Sequence, residues 1–171
     1  MTERRALGTL RSMKIASTSG RRRWLGSLLA LTAASTGARA AAPAPASPLG
    51  KSDAPHKIVY QLNQADEAYQ EAIFNSISAL LKKYVDDVAI AVVVWGPGIH
   101  LLARNPKRPV SELHKQRVRS MAESYGVKFI ACGNTMYTVG WTNADMLPFA
   151  QIEEVGAAAV MELQEQGYKY L

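Results

Sequence analysis

The stretch VAIAVVVWG (88–96) carries no charged residue, and up to Trp95 its side chains are small or β-branched and apolar. A strand with one wet face alternates apolar and polar residues. An unbroken run of this kind suits a strand covered on both faces, which is the situation inside a parallel sheet. A parallel sheet needs crossover connections, normally helices, on either side of each strand.

The flanking sequence supplies them. KIVYQLN (57–63) reads as a first strand that opens the domain. DEAYQEAIFNSISALLKKY (66–84) reads as a helix, with Tyr69, Ile73, Ile77, Leu80, Leu81 and Tyr84 at helical spacing. Its acids Asp66 and Glu67 stand at the positive end and Lys82 and Lys83 at the negative end, as the helix dipole favours. VSELHKQRVRSMAESYG (110–126) reads as a second helix, with Ser111 as N-cap and Gly126 as its stop. VKFIAC (127–132) is a further strand, and a short helix is expected within 134–141. QIEEV (151–155) reads as a short strand, GAAAVMELQEQG (156–167) as a last helix and YKYL (168–171) as a final strand. The alternation predicts one three-layer α/β domain with a mostly parallel central sheet flanked by helices.

The formal charge of +6 is unevenly placed. Residues 1–40 hold eight basic residues against Glu3 alone, a net +7, while 41–171 hold twelve basic and thirteen acidic residues, a net −1. The high isoelectric point therefore belongs to the N-terminus. A nucleic-acid partner, which needs a basic face on the folded body, is not expected. Residues 1–40 have the three parts of an export signal: a basic GRRRWLGS, a weakly apolar WLGSLLALTAASTG, and an Ala-x-Ala site, ARA, that places cleavage after Ala40. RRRWL resembles the twin-arginine signal, which points to a periplasmic location. The apolar run is too short and broken for a span of about 20 residues, so no stable membrane span is expected after cleavage. Met13 offers a second start, since MKIASTSGRRR is a complete leader by itself. Residues 41–56, AAPAPASPLGKSDAPH, read as a Pro/Ala-rich linker, and the domain as 57–171.

One cysteine, Cys132, serves the whole chain, so no internal disulfide can form. His56, His100 and His114 are scattered without metal-ligand spacing, and neither metal nor cofactor is expected. In open α/β sheets ligands bind beyond the carboxyl ends of the strands. Three segments reach that edge: QLNQAD with Asn63, WGPGIH with Gly96 and Gly98, and CGNTM with Cys132. At a strand-to-helix turn, N–H groups of Gly133, Asn134 and Thr135 would favour the thiolate, the nucleophilic form. The competing reading is a small buried core cysteine. The Gly-x-Gly turn invites a phosphate-cradling reading, but a dinucleotide fingerprint follows the first strand and has a third glycine, and neither holds here. His100 reads as a general base or proton shuttle or, more simply, as a solvated turn histidine, and His114 as half-buried packing. Tyr137 and Trp141 would wall a pocket, sit in the core or make subunit contacts. KRPVSELHKQRVR reads as a solvated basic helix face.

In their order and spacing, IVYQLN, VVVWGPGIHLL, GVKFIACGNTM and LQEQGYKYL resemble the DsrE/DsrF-like family, in its signal-peptide-bearing branch, over essentially the whole domain. The resemblance implies a flavodoxin-like or Rossmann-like fold and a homo-oligomer, trimeric or hexameric. It also implies that Cys132, at the family's cysteine position, carries sulfane sulfur as a persulfide in a sulfur relay. The expectation is a sulfur carrier of the sulfurtransferase type. Cys132 would be the acceptor, with Gly133, Asn134, Thr135, Asn63, Gly96 and Gly98 lining the site. A sulfur donor or acceptor protein, or a small sulfur compound, would be its partner. CGNTMY lacks the cations of a rhodanese loop, so backbone N–H groups must stabilise the anion. The alternative is a non-catalytic oligomeric binding module in which Cys132 is packing.

Overall fold

The computed structural model describes residues 53–171; the expected leader and nearly all of the linker lie outside the described residues. The run that decides the fold forms β2, Val88–Val94, with all seven residues buried. It is the middle of a five-stranded sheet ordered β4-β3-β2-β1-β5. The others are β1 (His56–Leu62), β3 (Lys128–Cys132), β4 (Gln151–Glu153) and β5 (Lys169–Tyr170). Every neighbouring pair is parallel, so the sheet is wholly rather than mostly parallel. β1 begins at His56, one residue before the expected start.

The strand period of two divides β2 between two cores. Val88, Ile90, Val92 and Val94 join a cluster with Ile73, Phe74 and Ile77 of α1 (Glu67–Tyr84), Val118 and Met121 of α2 (Glu112–Tyr125), and Met136 of α3 (Gly133–Val139). Ala89, Ala91 and Val93 face the other way, against Ala159, Val160 and Leu163 of α4 (Gly156–Glu165). The small alanines on that face let α4 lie close to the sheet. Each fully buried large side chain, such as Phe74 or Ile77, contributes about 1.5–3 kcal/mol.

Local chemistry sets the helix ends. Asp66 caps α1, its Oδ1 accepting the Tyr69 N–H at 2.7 Å. Ser111 occupies the N-cap position of α2, but its side chain makes no capping bond, contrary to the expected role. Gly126 and Gly140 end α2 and α3 in the left-handed conformation. WGPGIH was expected as a tight turn and instead enters a 3₁₀ helix, Gly96–Leu102, whose Ile99, His100, Leu101 and Leu102 are buried. His114 is fully buried rather than half-buried. Arg117, within the expected solvated basic face, is drawn against α1, its guanidinium bonding Glu71 Oε1 at 2.7 Å and Asn75 Oδ1 at 2.9 Å. Among the described residues, no helix is long and apolar enough to cross a membrane.

The connections leave the sheet on different sides. α1, α2 and α3 lie on one face as the chain steps β1, β2, β3, β4. α4 then returns along the opposite face to place β5 beside β1.

α1 ends at Val85, a β-branched residue at φ +52°, in a region that disfavours side chains and favours glycine. Its side chain is mostly exposed. Val85→Gly is expected to raise stability by about 1 kcal/mol, read as a higher urea midpoint at unchanged slope. A lower midpoint would show that the conformation is not strained.

Candidate functional site

Cys132 ends β3 and Glu153 ends β4, and the two are paired in register. β3 feeds α3 on one face of the sheet, whereas β4 feeds α4 on the other. The carboxyl ends of these two strands are therefore the point where successive connections diverge, the favoured ligand position in open α/β sheets.

Cys132 is 6% exposed. Its Sγ accepts the Gly156 N–H at 3.3 Å. In its neutral form it donates toward Glu154 O at 3.8 Å. Gly156 opens the ten-residue α4, so its N–H has no partner within the helix, and the sulfur sits at the positive end of that dipole. Only glycine fits at 156. A Cβ there would lie 2.8 Å from Trp95 Cε3 and 3.1 Å from Cys132 Cβ. The half-buried Trp95 and the buried Cys132 thus both crowd Gly156.

Thr135 supplies the second donor group. Gly96 N–H donates to Thr135 Oγ1 at 3.2 Å, which leaves the hydroxyl proton free for the sulfur. Burial pushes the Cys132 thiol up. The Thr135 N–H and hydroxyl, with the Gly156 and Asn134 N–H dipoles, outweigh it and hold the thiol below the ordinary cysteine range. Asn134 N–H has its own acceptor, Glu154 O at 2.9 Å, so its main work is to pin the start of α3 to the exit of β4. Gly133 contributes space: a Cβ there would come within 3.2 Å of Glu154 Cα.

Asn63 and the glycines of the neighbouring loop line the same edge. Gly96 adopts φ +53°, and a Cβ on it would lie 3.3 Å from Asn63 O. Asn63 Oδ1 accepts the Tyr69 hydroxyl at 3.3 Å. Gly98 is committed to packing, since a Cβ would meet Leu62 O at 2.7 Å, and the loop forms no open phosphate cradle. The structure thus gathers Asn63, Gly96, Thr135 and Cys132 along one edge.

His100 is not the solvated turn residue expected. It is buried, its Nδ1 accepts the Lys107 N–H at 3.2 Å, and its ring stands edge-on to Trp141 with centroids 5.0 Å apart. Burial, followed by the Arg108 and Lys107 charges, lowers its pKa and favours the neutral ring. Trp141 is core and Tyr137 is 86% exposed.

Two substitutions test this geometry. Thr135→Val removes the hydroxyl, and the pH profile of Cys132 alkylation should then shift to higher pH, with a slower rate at neutral pH. An unmoved profile would show that the hydroxyl does not reach the sulfur. Gly156→Ala should cost about 1–3 kcal/mol of stability through overpacking against Trp95 and move the alkylation profile the same way. Wild-type stability would contradict the crowding.

Known proteins can now be set beside this arrangement. No curated protein matches the chain. Among solved structures, a protein of unknown function from Methanobacterium thermoautotrophicum superposes with a TM-score of 0.59 at 22% identity, over 68% of this chain and 97% of that one. The ychN protein from E. coli superposes with a TM-score of 0.51 at 13% identity, over 67% and 96% respectively. At these identities the likeness concerns the fold. Residues 54–171 match the profile of the DsrE/DsrF-like family, and the chain therefore belongs to that family.

Proposed function

We propose that this protein is a single-cysteine sulfur carrier, loaded and unloaded at Cys132 within a sulfur relay. The observation that carries the reading is the placement of the lone thiol. It lies where the β3 and β4 connections diverge, with the N–H of Gly156 on its sulfur. Family membership supports a relay-type fold, and the position of Cys132 supplies the chemistry.

The step is thiol exchange at sulfur. The Cys132 thiolate attacks the outer sulfur of a donor persulfide, R–S–SH. The donor S–S bond breaks, R–S⁻ leaves and takes up a proton, and a new S–S bond forms on Cys132. No net oxidant or reductant is consumed. Gly156 N–H and the Thr135 hydroxyl stabilise the anion before attack and the terminal sulfur afterwards. Asn63, Gly96, Gly98, Gly133 and Asn134 shape the surrounding edge. With no second cysteine, no thiol of the same chain can displace the bound sulfur as an internal disulfide.

In this reading the leader over 1–40 sends the protein to the periplasm by a twin-arginine-type route. The mature chain assembles as a trimer or hexamer and exchanges sulfur with a partner protein or a small sulfur compound. The near-complete burial of Cys132 favours a second reading, a binding module in which the cysteine is packing.

Intact-protein mass spectrometry separates the two, before and after treatment with sulfide plus polysulfide. Expected is a gain of whole sulfur atoms that reductant removes and Cys132→Ser abolishes. A thiol that gains no sulfur, and reacts with alkylating agents only after denaturation, leaves the binding module. The same spectrum tests export, since the mature mass should correspond to cleavage after Ala40.

A further inference from the structure

α1 and α2 pack side by side on one face of the sheet. Through their first halves the groove between them is shut by polar side chains. His114 Nδ1 lies 3.0 Å from Gln70 Oε1 and its Nε2 3.0 Å from Glu71 Oε2, while Arg117 bonds the other oxygen of Glu71 at 2.7 Å. Farther along, from Arg117 onward, the groove opens into a cavity of about 440 Å³. The sequence accounts for the opening. Ser78 and Ser120 line it, two short side chains where longer ones would fill the space.

The lining has two characters. Leu81, Met121 and Tyr125 give it an apolar side. Tyr125 is 55% exposed, a large aromatic left in water at the end of α2. The other side is polar and positive, with Lys82, Arg117 and the two serines, and among the described residues that line the cavity none is acidic. The two cations differ in what they can do. Arg117 is tied down, bonding Glu71, Asn75 Oδ1 at 2.9 Å and Ser78 Oγ at 3.3 Å, and its charge is matched by the Glu71 carboxylate. Ser78 gives its own proton to Phe74 O at 2.8 Å. Recognition of a charged group therefore falls to the exposed Lys82, with the Ser120 hydroxyl as a second donor. Lys82 stands four residues after Ser78 and so shares its helix face.

We propose that this cavity is a binding site for a small amphipathic anion, a carboxylate on a short alkyl or aryl body. The body lies against Leu81, Met121 and Tyr125, and the carboxylate turns toward Lys82 and Ser120. The charge of the lining selects the sign: a cation meets like charge, and a neutral guest leaves the ammonium unused. Size selects the class. Ligand pockets span about 300–1,000 Å³, and this one, near the lower end, suits a single short chain or ring rather than a two-chain lipid. The site is remote from the thiol. α1 starts beyond the carboxyl end of β1, so its second half lies toward the amino ends of the parallel strands, whereas Cys132 ends β3. The proposal therefore stands apart from the sulfur-carrier reading.

The test is a nuclear magnetic resonance titration of the full chain with octanoate, and in parallel with octylamine and octanol, all below micelle formation. Expected are saturable shifts of backbone amides confined to 78–82 and 117–125, with octanoate bound several-fold more tightly than octylamine or octanol. Lys82→Gln, at an exposed position, should keep the melting temperature and weaken octanoate several-fold, the range of one exposed charge pair. Ser120→Leu should fill the space and abolish the shifts with all three probes. Shifts that never saturate, or that scatter over the surface, overturn the site. Octylamine binding as well as octanoate, or Lys82→Gln binding octanoate like the wild type, overturns the assignment to an anion. The readout lies wholly on α1 and α2, so the result stands whatever Cys132 is found to do.

Discussion

Burial of β2 on both faces is the constraint from which the rest of the molecule follows. Seven successive residues without a polar side chain can be covered only from two sides. That requirement fixes three layers, and the parallel pairing on both sides of β2 fixes crossover connections. It also decides how the covering layers differ. The β-branched residues at 88, 90, 92 and 94 meet the bulky side of the core, with Phe74 and Phe129. Ala89 and Ala91 admit α4 close to the strands.

The site inherits this asymmetry. α4 crosses the face opposite to α3, so the chain leaves the carboxyl ends of β3 and β4 toward opposite faces of the sheet. The sulfur that ends β3 meets the amide that starts α4, across a gap that leaves no room for a methyl group at 156. The same close approach that seats α4 on the sheet therefore makes its first N–H available to the thiol. Packing and thiol acidity share one contact. Neither needs a cationic side chain, which accounts for a turn without Arg or Lys beside the cysteine.

Much of this was legible in the chain. The unbroken apolar run gave the parallel sheet, Asp66 and the helical spacing gave α1, and the end of VKFIAC put Cys132 at the carboxyl end of its strand. Gly156 was not legible as a site residue. It stands 24 positions from Cys132, and its role arises only when β4 pairs with β3. The available signal was a glycine at a strand-to-helix junction, the same signal that Gly133 gives. His114 showed its inward register, but helical spacing cannot say which side chains of another helix it meets, so Gln70 and Glu71 stayed hidden. His100 was misjudged because a Gly-x-Gly turn suggests a solvent-exposed loop, whereas Ile99, Leu101 and Leu102 pull this segment into the core.

The sheet finishes on very short strands, three residues in β4 and two in β5. Rows this brief offer a foreign strand few backbone groups to pair with, and short edges are a common defence against strand-to-strand aggregation. The molecule is thereby steered away from extending its sheet into a neighbour.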